Sequence, residues 1–456
     1  MNSMTSSRIN PTHVTNRCPS FLFYWLVATL VLAPLLFGSN RPVFWSVSEV
    51  SLNLLTATTF GYALLGRSFR LAAIKPIHLI AFGWLVAVIA TQLIAGTTID
   101  VHATKSQLIK TIALMQVFFL TLVLVDSRER LLFLVNVLLL SGVFQAVYGS
   151  LMTLTGTDYI WNQPKEHYRG VATGTFINRN HLAGYLEMTL ALGLGLLIAS
   201  LEDHPARTWR QWLRGWTTTL LGPKARVRIY LALMVIGLIL TQSRMGNTAF
   251  FASMMIAGAI GLYLFRGSGR GVVLLFTSLL IIDIFLMGAF FGIDKVQERI
   301  AQTSLETEQR ILVNQLSFEI VKDNPWLGTG LGTYYTAFPQ YRNEQVTLFY
   351  DHAHSDLIEF PSELGILGTL PLVLLVGFAF VTAIKVQLSR RSRLMRAMGF
   401  SATMGIIAIM LHSITDFNLQ IFANAATFMV ILALPFICLT LDSGRRGSGS
   451  NNAFTV

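Results

Sequence analysis

Charged side chains are scarce in this sequence. Asp, Glu, Lys and Arg make up 12% of its 456 residues, about half the share typical of a soluble domain. That scarcity excludes a water-soluble globular protein and, with a mean hydropathy of +0.58, leaves a polytopic membrane protein. Cysteine is nearly absent: with only Cys18 and Cys438, neither a disulfide framework nor a cysteine metal site is expected. No internal repeat is evident. The long apolar runs lack the alternation of a barrel strand, so helices are expected.

Apolar segments near the roughly 20 residues that carry a helix across a hydrocarbon core fall at about 20–38, 44–65, 77–95, 107–125, 132–154, 180–200, 229–242, 247–265, 272–292, 366–384, 398–415 and 421–441. The expected fold is an all-α membrane protein of about twelve transmembrane helices with a helical loop domain on the outer face, which the resemblance described below makes periplasmic. Its divisions are an N-terminal tail (1–19), nine helices (20–292), a large loop (293–365), three further helices (366–441) and a Ser/Gly/Asn-rich tail (442–456) that reads as disordered. The polar lead with Arg8 and Arg17 precedes an apolar run with no clear cleavage site, which reads as an uncleaved first span.

Positive charge exceeds negative, 34 Lys and Arg against 23 Asp and Glu. The excess sits in one set of connections: Arg67, Arg70 and Lys75; Arg128 and Arg130; Arg207, Arg210, Arg214, Lys224, Arg226 and Arg228; Arg266 and Arg270; Lys385, Arg390, Arg391, Arg393 and Arg396. By the positive-inside rule these loops and both termini are cytoplasmic. The net charge of +11 is first a topology signal and second an attraction to anionic membrane lipids. Nucleic-acid binding is disfavoured, because the basic residues are divided among membrane-flanking loops instead of forming one stripe.

On the opposite face two connections are long, about 155–179 and 293–365, and the second exceeds an idle linker. Ile300, Leu305, Leu312, Leu316 and Ile320 recur near helical spacing in it, Thr303 with Glu306 resembles a capping box, and Asn324-Pro325 ends the run. Four sets of polar residues gather on this face: 174–181, ending in Arg179, Asn180 and His181; 242–246, with Arg244; Arg310; and Asp351-His352-Ala353-His354-Ser355-Asp356.

Arginines at a membrane boundary either snorkel to headgroups or meet an anionic partner; a lipid diphosphate suits Arg179, Arg244 and Arg310, since guanidinium forks onto phosphate oxygens. The plainer reading of Arg310 is a solvated helix face. His354 can act as a general base near neutral pH, against the commoner structural role of a loop histidine. His352 and His354 with Asp351 and Asp356 also have the chemistry of a divalent-metal site, although no further ligand with recognised spacing is visible. Gly328-Thr329-Gly330-Leu331-Gly332 fits neither a P-loop nor a dinucleotide fingerprint and reads as a turn. Glu187 and Asp283 are acids within spans, read as an ion path or as structurally paired, with Glu187 placed to seat Arg179. The polar run His412 to Asn418 reads as helix capping or support. Tyr334, Tyr335, Tyr341, Phe349 and Tyr350 read as an interfacial aromatic belt in preference to sugar-stacking rings.

At these motifs the chain resembles the O-antigen ligase and polymerase superfamily, over about residues 170–420. The pieces are Gly174-Thr175-Phe176-Ile177-Asn178-Arg179-Asn180-His181, then Ser243-Arg244, then Arg310 followed by Asn324-Pro325-Trp326-Leu327-Gly328-Thr329-Gly330, then His352-Ala353-His354 followed by Glu363-Leu364-Gly365-Ile366-Leu367-Gly368. Two departures are Ser355, where the family often has Asn, and Pro361 in the lead to the last motif. The resemblance implies a GT-C-like integral-membrane glycosyltransferase of a bacterial inner membrane. It would move a glycan from undecaprenyl diphosphate to an acceptor sugar hydroxyl at the periplasmic face, with inversion and without metal or other cofactor. The acceptor is lipid A–core in the ligase branch and another lipid-linked repeat unit in the polymerase branch. His354 would activate the acceptor and Arg179, Arg244 and Arg310 would hold the diphosphate, with Asn180, His181, His352, Asp356 and Glu363 in support. A lipid-glycan flippase or transporter is the rival from another class; it would want inverted halves and midplane broken helices, whereas the polar residues here gather at one surface.

Overall fold

A computed structural model describes residues 19–200, 223–264 and 309–441. They form helices α1 (Ser20–Leu35), α2 (Pro42–Leu64), α3 (Pro76–Ile94), α4 (Val101–Leu124), α5 (Arg128–Thr155), α6 (Arg179–Ser200), α7 (Pro223–Leu240), α8 (Arg244–Leu264), α9 (309–323), α10 (Asp356–Ser389), α11 (Arg393–His412) and α12 (Phe422–Thr440). A two-residue hairpin, Tyr159–Ile160 with Gln163–Pro164, decorates the loop before α6.

Among the described residues eight helices are long and apolar enough to cross a membrane, against the twelve spans expected from hydropathy. Those eight are α3 to α6, α8 and α10 to α12. Helix α1 has only 16 residues; α2 interrupts its apolar face with Ser48, Glu49, Ser51 and Asn53, and α7 opens on Lys224, Arg226 and Arg228. The expected ninth span at 272–292, its Asp283, and the Thr303–Glu306 box with Ile300 and Leu305 lie outside the described residues. Helix α10 starts ten residues before the expected 366. It runs through Pro361 and breaks at Gly365, where φ is 60° and ψ −172°.

Helices α6, α11 and α12 form the centre. Nearly every residue of α6 and α12 is buried, Leu186, Leu190 and Leu194 of α6 facing the same interior as Phe428, Leu432 and Phe436 of α12. Small residues allow the close approach that helix packing in lipid uses: a Cβ at Gly195 would lie 1.8 Å from Ser401 Oγ, and one at Gly246 would lie 2.5 Å from Ala183 Cβ.

One end of the bundle carries the basic residues. Arg70 donates to the carbonyls of Asp126 and Thr440, Arg130 to that of Leu124 at 3.0 Å, and Arg390 to those of Leu439 and Leu441. Several of the residues that carry the topology signal therefore also satisfy orphan carbonyls at the C-terminal ends of α4 and α12. The loops that hold the histidines lie at the other end.

Candidate active site

The sequence builds this end from capped helix starts. Asn178 Oδ1 accepts the Asn180 N–H at 2.9 Å and starts α6; Ser243 Oγ accepts the Gly246 N–H at 3.2 Å and starts α8. Such caps satisfy amides that have no partner within the helix. Arg179 and Arg244 are therefore the first residues of two helices whose opening turns touch at Ala183 and Gly246. The Arg179 guanidinium lies 5.6 Å from the ring centre of Tyr168; Arg244 is exposed.

The loop 324–355 docks on this end by its backbone. Gln92 of α3 donates to the carbonyls of Leu327 and Glu363, and its Oε1 accepts the Leu331 N–H at 3.2 Å. Glu363 accepts the Tyr334 N–H at 3.0 Å. The 328–332 glycines make a turn with positive φ at Gly328, Gly330 and Gly332, as expected. Glu363 thus anchors this turn by hydrogen bond, while its charge acts on His352 in the histidine cluster. Helix α9 packs through Val313 and Ile320 onto Tyr334, Phe338, Val346, Tyr350 and Ala353. Tyr334 and Tyr350 are consequently buried in the loop's own core, which corrects their assignment to an interfacial belt; Tyr335 and Phe349 are exposed.

The histidines converge on one ring. His352 stacks on Phe417 with centroids 4.2 Å apart, while His354 and His181 meet it edge-on at 4.9 and 4.7 Å. Tyr350 closes the other side of His354, 5.7 Å away. Glu359, buried in the first turns of α10, takes His352 Nδ1 at 2.6 Å and the Ala353 N–H at 2.8 Å. Asp356 accepts from Ser413 Oγ at 2.7 Å and from the Leu419 N–H at 3.1 Å, and its own N–H donates to the Asp416 carbonyl. Ser355 Oγ donates to the Ser413 carbonyl at 3.3 Å. Between these anchors His354 holds a left-handed backbone with φ of 53°, a conformation that costs a non-glycine residue of order 1–3 kcal/mol and persists where its surroundings impose it.

Behind Phe417 lies a chain of buried polar groups. Asp416 Oδ1 stands 3.7 Å from His181 Nε2, and Asp416 Oδ2 stands 4.0 Å from His412 Nε2. His412 Nδ1 meets Glu187 Oε1 at 2.7 Å. Of the readings open to Glu187, an ion path or a structural pairing that seats Arg179, the structure shows a pairing, with His412, where α6 packs against the end of α11. Asn424 ties the chain to α12 by donating to the His181 carbonyl and to Asn418 Oδ1.

Electrostatics differentiate the two loop histidines. Burial pushes His354 down to about 4, Asp416 opposes that shift, and the positive charges of Arg310 and His352 reinforce it, so its imidazole is neutral at physiological pH. For His352 burial also disfavours the charge, yet the carboxylate of Glu359, with Asp351 and Glu363 beyond, raises it to about 9. Burial likewise works against the Asp416 carboxylate, but the close approach of His181 and the charges of His181, His412 and His354 draw it below its ordinary range.

Of the residues singled out from sequence, His181, His352, His354 and Asp356 come together, and Arg310 is near enough for its charge to act on His354. Arg179, Asn180 and Arg244 stand at the same end, on the helix starts beside His181. Glu359 and Phe417 were missed. Glu359 had the signal of an acid within an apolar stretch; Phe417 had only its place in the 412–418 run.

This geometry defines a helical membrane protein with a histidine–carboxylate cluster at one end of the bundle. Residues 229–373 match the family model described as O-Antigen ligase, a stretch that includes Arg244, Arg310, His352, His354 and Glu363. Over that stretch, about a third of the chain, the sequence is similar to a family of glycosyltransferases that use lipid-linked glycans. The 174–181 motif falls outside the matched stretch. No curated protein matches the sequence.

Proposed function

We propose that the protein transfers a glycan from undecaprenyl diphosphate to an acceptor sugar hydroxyl on lipid A–core at the periplasmic face of a bacterial inner membrane. The observation that carries this reading is the His354 imidazole, held on a left-handed backbone between the rings of Phe417 and Tyr350 and within reach of the Arg310 charge. His354 takes the acceptor hydroxyl proton, the oxygen attacks the anomeric carbon, and the bond from that carbon to the diphosphate oxygen breaks with its electrons retained by the phosphate. Attack opposite the leaving group inverts the centre. Arg310, Arg244 and Arg179 hold the departing diphosphate, since positive charge already in place when the bond breaks stabilises the leaving group.

A groove among α3, α4, α10, α11 and α12 supports a lipid-linked substrate. Its volume is about 710 Å³, and its walls include Phe82, Leu85, Phe360, Phe428 and Leu432, with Asp356 and Ser413 at the histidine end. The positive-inside rule, which keeps the basic loops cytoplasmic, supports a periplasmic position for this end.

The test is a reconstituted reaction with an undecaprenyl-diphosphate oligosaccharide and two acceptors, lipid A–core and a second lipid-linked repeat unit. His354→Ala is expected to abolish transfer while the protein still inserts and accumulates; full activity in that variant overturns the assignment. Growth of the chain on the lipid-linked acceptor alone would make the protein a polymerase.

A further inference from the structure

Two imidazoles face the same aromatic ring from adjacent positions of one loop, and the proton transfer above uses only one. The other, His352, is built differently. Its Nδ1 is 2.6 Å from Glu359 Oε1. Glu359 itself is 1% exposed and has its second oxygen committed to the Ala353 N–H. The His352 side chain keeps 27% of its exposure, so with Nδ1 turned to the carboxylate its Nε2 edge is the one a substrate reaches. The stack on Phe417 fixes the plane of the ring.

Resting on the reading of the site as transfer from a lipid diphosphate, we propose that His352 is a second catalytic residue: an imidazolium seated on Glu359 that donates a hydrogen bond from Nε2 to the diphosphate oxygen on which the electrons of the breaking bond collect. No proton need be transferred; charge and hydrogen bond are strongest as the bond breaks, which is when they accelerate the reaction. The groups facing His352 support a fixed charge. Glu359 and Glu363 approach from α10, Asp351 and His354 from its own loop, His181 from α6, and Asp416 stands beside Phe417 on the α11–α12 connection. Lys110 of α4 interacts with the same two glutamates. The carboxylate in direct contact is that of Glu359, and His352 is raised to about 9 where His354 is lowered to about 4. Divergent titration of two neighbouring groups is the mark of an acid paired with a base.

The experiment measures donor kcat/KM from pH 6 to pH 10 for the full-length protein and for His352→Gln, His352→Arg and Glu359→Gln, with an undecaprenyl-diphosphate oligosaccharide as donor. Because the charged form of His352 exists below its raised value, the wild type should lose rate as pH rises through about 9. Glu359→Gln removes the group that holds the proton, so its alkaline limb should move down by at least about one pH unit. His352→Arg should keep about a tenth of the rate or more and lose the limb, because guanidinium stays charged. His352→Gln should be at least about tenfold slower across the range. A limb unchanged in both Glu359→Gln and His352→Arg, or wild-type rates in His352→Gln, overturns the inference; if Glu359→Gln does not accumulate, His352→Arg alone decides. His354→Ala separates the two levels: activity in it defeats the proposed function, whereas an inactive His354→Ala together with an alkaline limb that stays unmoved in Glu359→Gln and His352→Arg defeats only the role of His352.

Discussion

The imidazole of His352 lies flat on the ring of Phe417, the two planes 15° from parallel, and the edges of His354 and His181 meet that same ring. One side chain is thus the common wall of three histidines. Phe417→Leu keeps an apolar side chain of similar reach but no flat face, so the protein should fold while the rings lose their register. A misplacement of about 1 Å at a reacting group can cost about 100-fold in rate, and a loss of that order is expected. Transfer rate measured against the yield of monodisperse protein in size exclusion decides; a Phe417→Leu protein as fast as wild type would show that the ring serves packing alone.

Arg310 and Asp416 act on His354 with opposite sign. Burial is the main cause that holds the imidazole below its ordinary value; the carboxylate opposes it and the guanidinium adds to it. His354 must be neutral to accept a proton, so transfer in the wild type should persist into acid and fall only as pH drops through about 4. Arg310→Gln relieves the opposing charge and lets His354 rise toward its ordinary range, moving the acid limb of kcat/KM to higher pH. The same variant should raise the donor KM more than the acceptor KM. An acid limb that stays in place, or moves to lower pH, contradicts the placement of Arg310 beside the base.

The parts of this architecture that depend on neighbours in sequence were legible there. The periodic run through Leu312, Leu316 and Ile320 does form a helix, which ends at 323 before Asn324-Pro325; the 328–332 glycines make a turn; and the short connection before Arg244 is a capped helix start. What sequence periodicity could not convey was partnership across distance. Asp356, Glu359 and Glu363 look like loop residues, so the helix was placed after them. In the fold each carboxylate is matched from elsewhere, Asp356 by Ser413 and Leu419, Glu359 by His352, Glu363 by Tyr334, and the helix begins at Asp356. Glu187 and His412 are separated by 225 positions, which no local pattern encodes.

That buried pair yields a prediction about stability. Glu187 and His412 are both fully enclosed, and removing one partner of such a pair leaves the other desolvated and uncompensated, at a cost of about 3–5 kcal/mol. Glu187→Ala and His412→Ala should each lower the thermal midpoint in detergent markedly. Glu187→Met with His412→Leu replaces both by apolar groups and should recover most of that loss. Thermal melts of the two single variants and the double variant close the cycle. A double variant no more stable than the worse single one would mean that the pair is needed by the wider network through Asp416 and not for its mutual satisfaction.

Gly328 and Gly365 interlock the loop with the broken helix. Their φ angles are 66° and 60°. A Cβ on Gly328 would lie 2.3 Å from the Glu363 carbonyl carbon, and one on Gly365 would lie 2.3 Å from that of Trp326. Between them run four backbone hydrogen bonds, from Thr329, Gly330, Ile366 and Leu367 to Ser362, Glu363, Pro325 and Trp326. The left-handed backbone alone costs an alanine about 1–2 kcal/mol, and here the added methyl also strikes backbone, which cannot swing aside as a side chain can. Gly328→Ala and Gly365→Ala should therefore undock the loop that carries His352 and His354 while the membrane helices persist. Limited proteolysis in membranes reads this directly, with faster cleavage between about 324 and 355 expected in both variants. Wild-type protease resistance together with wild-type transfer would show that the two backbones do not need this close approach to seat the histidines.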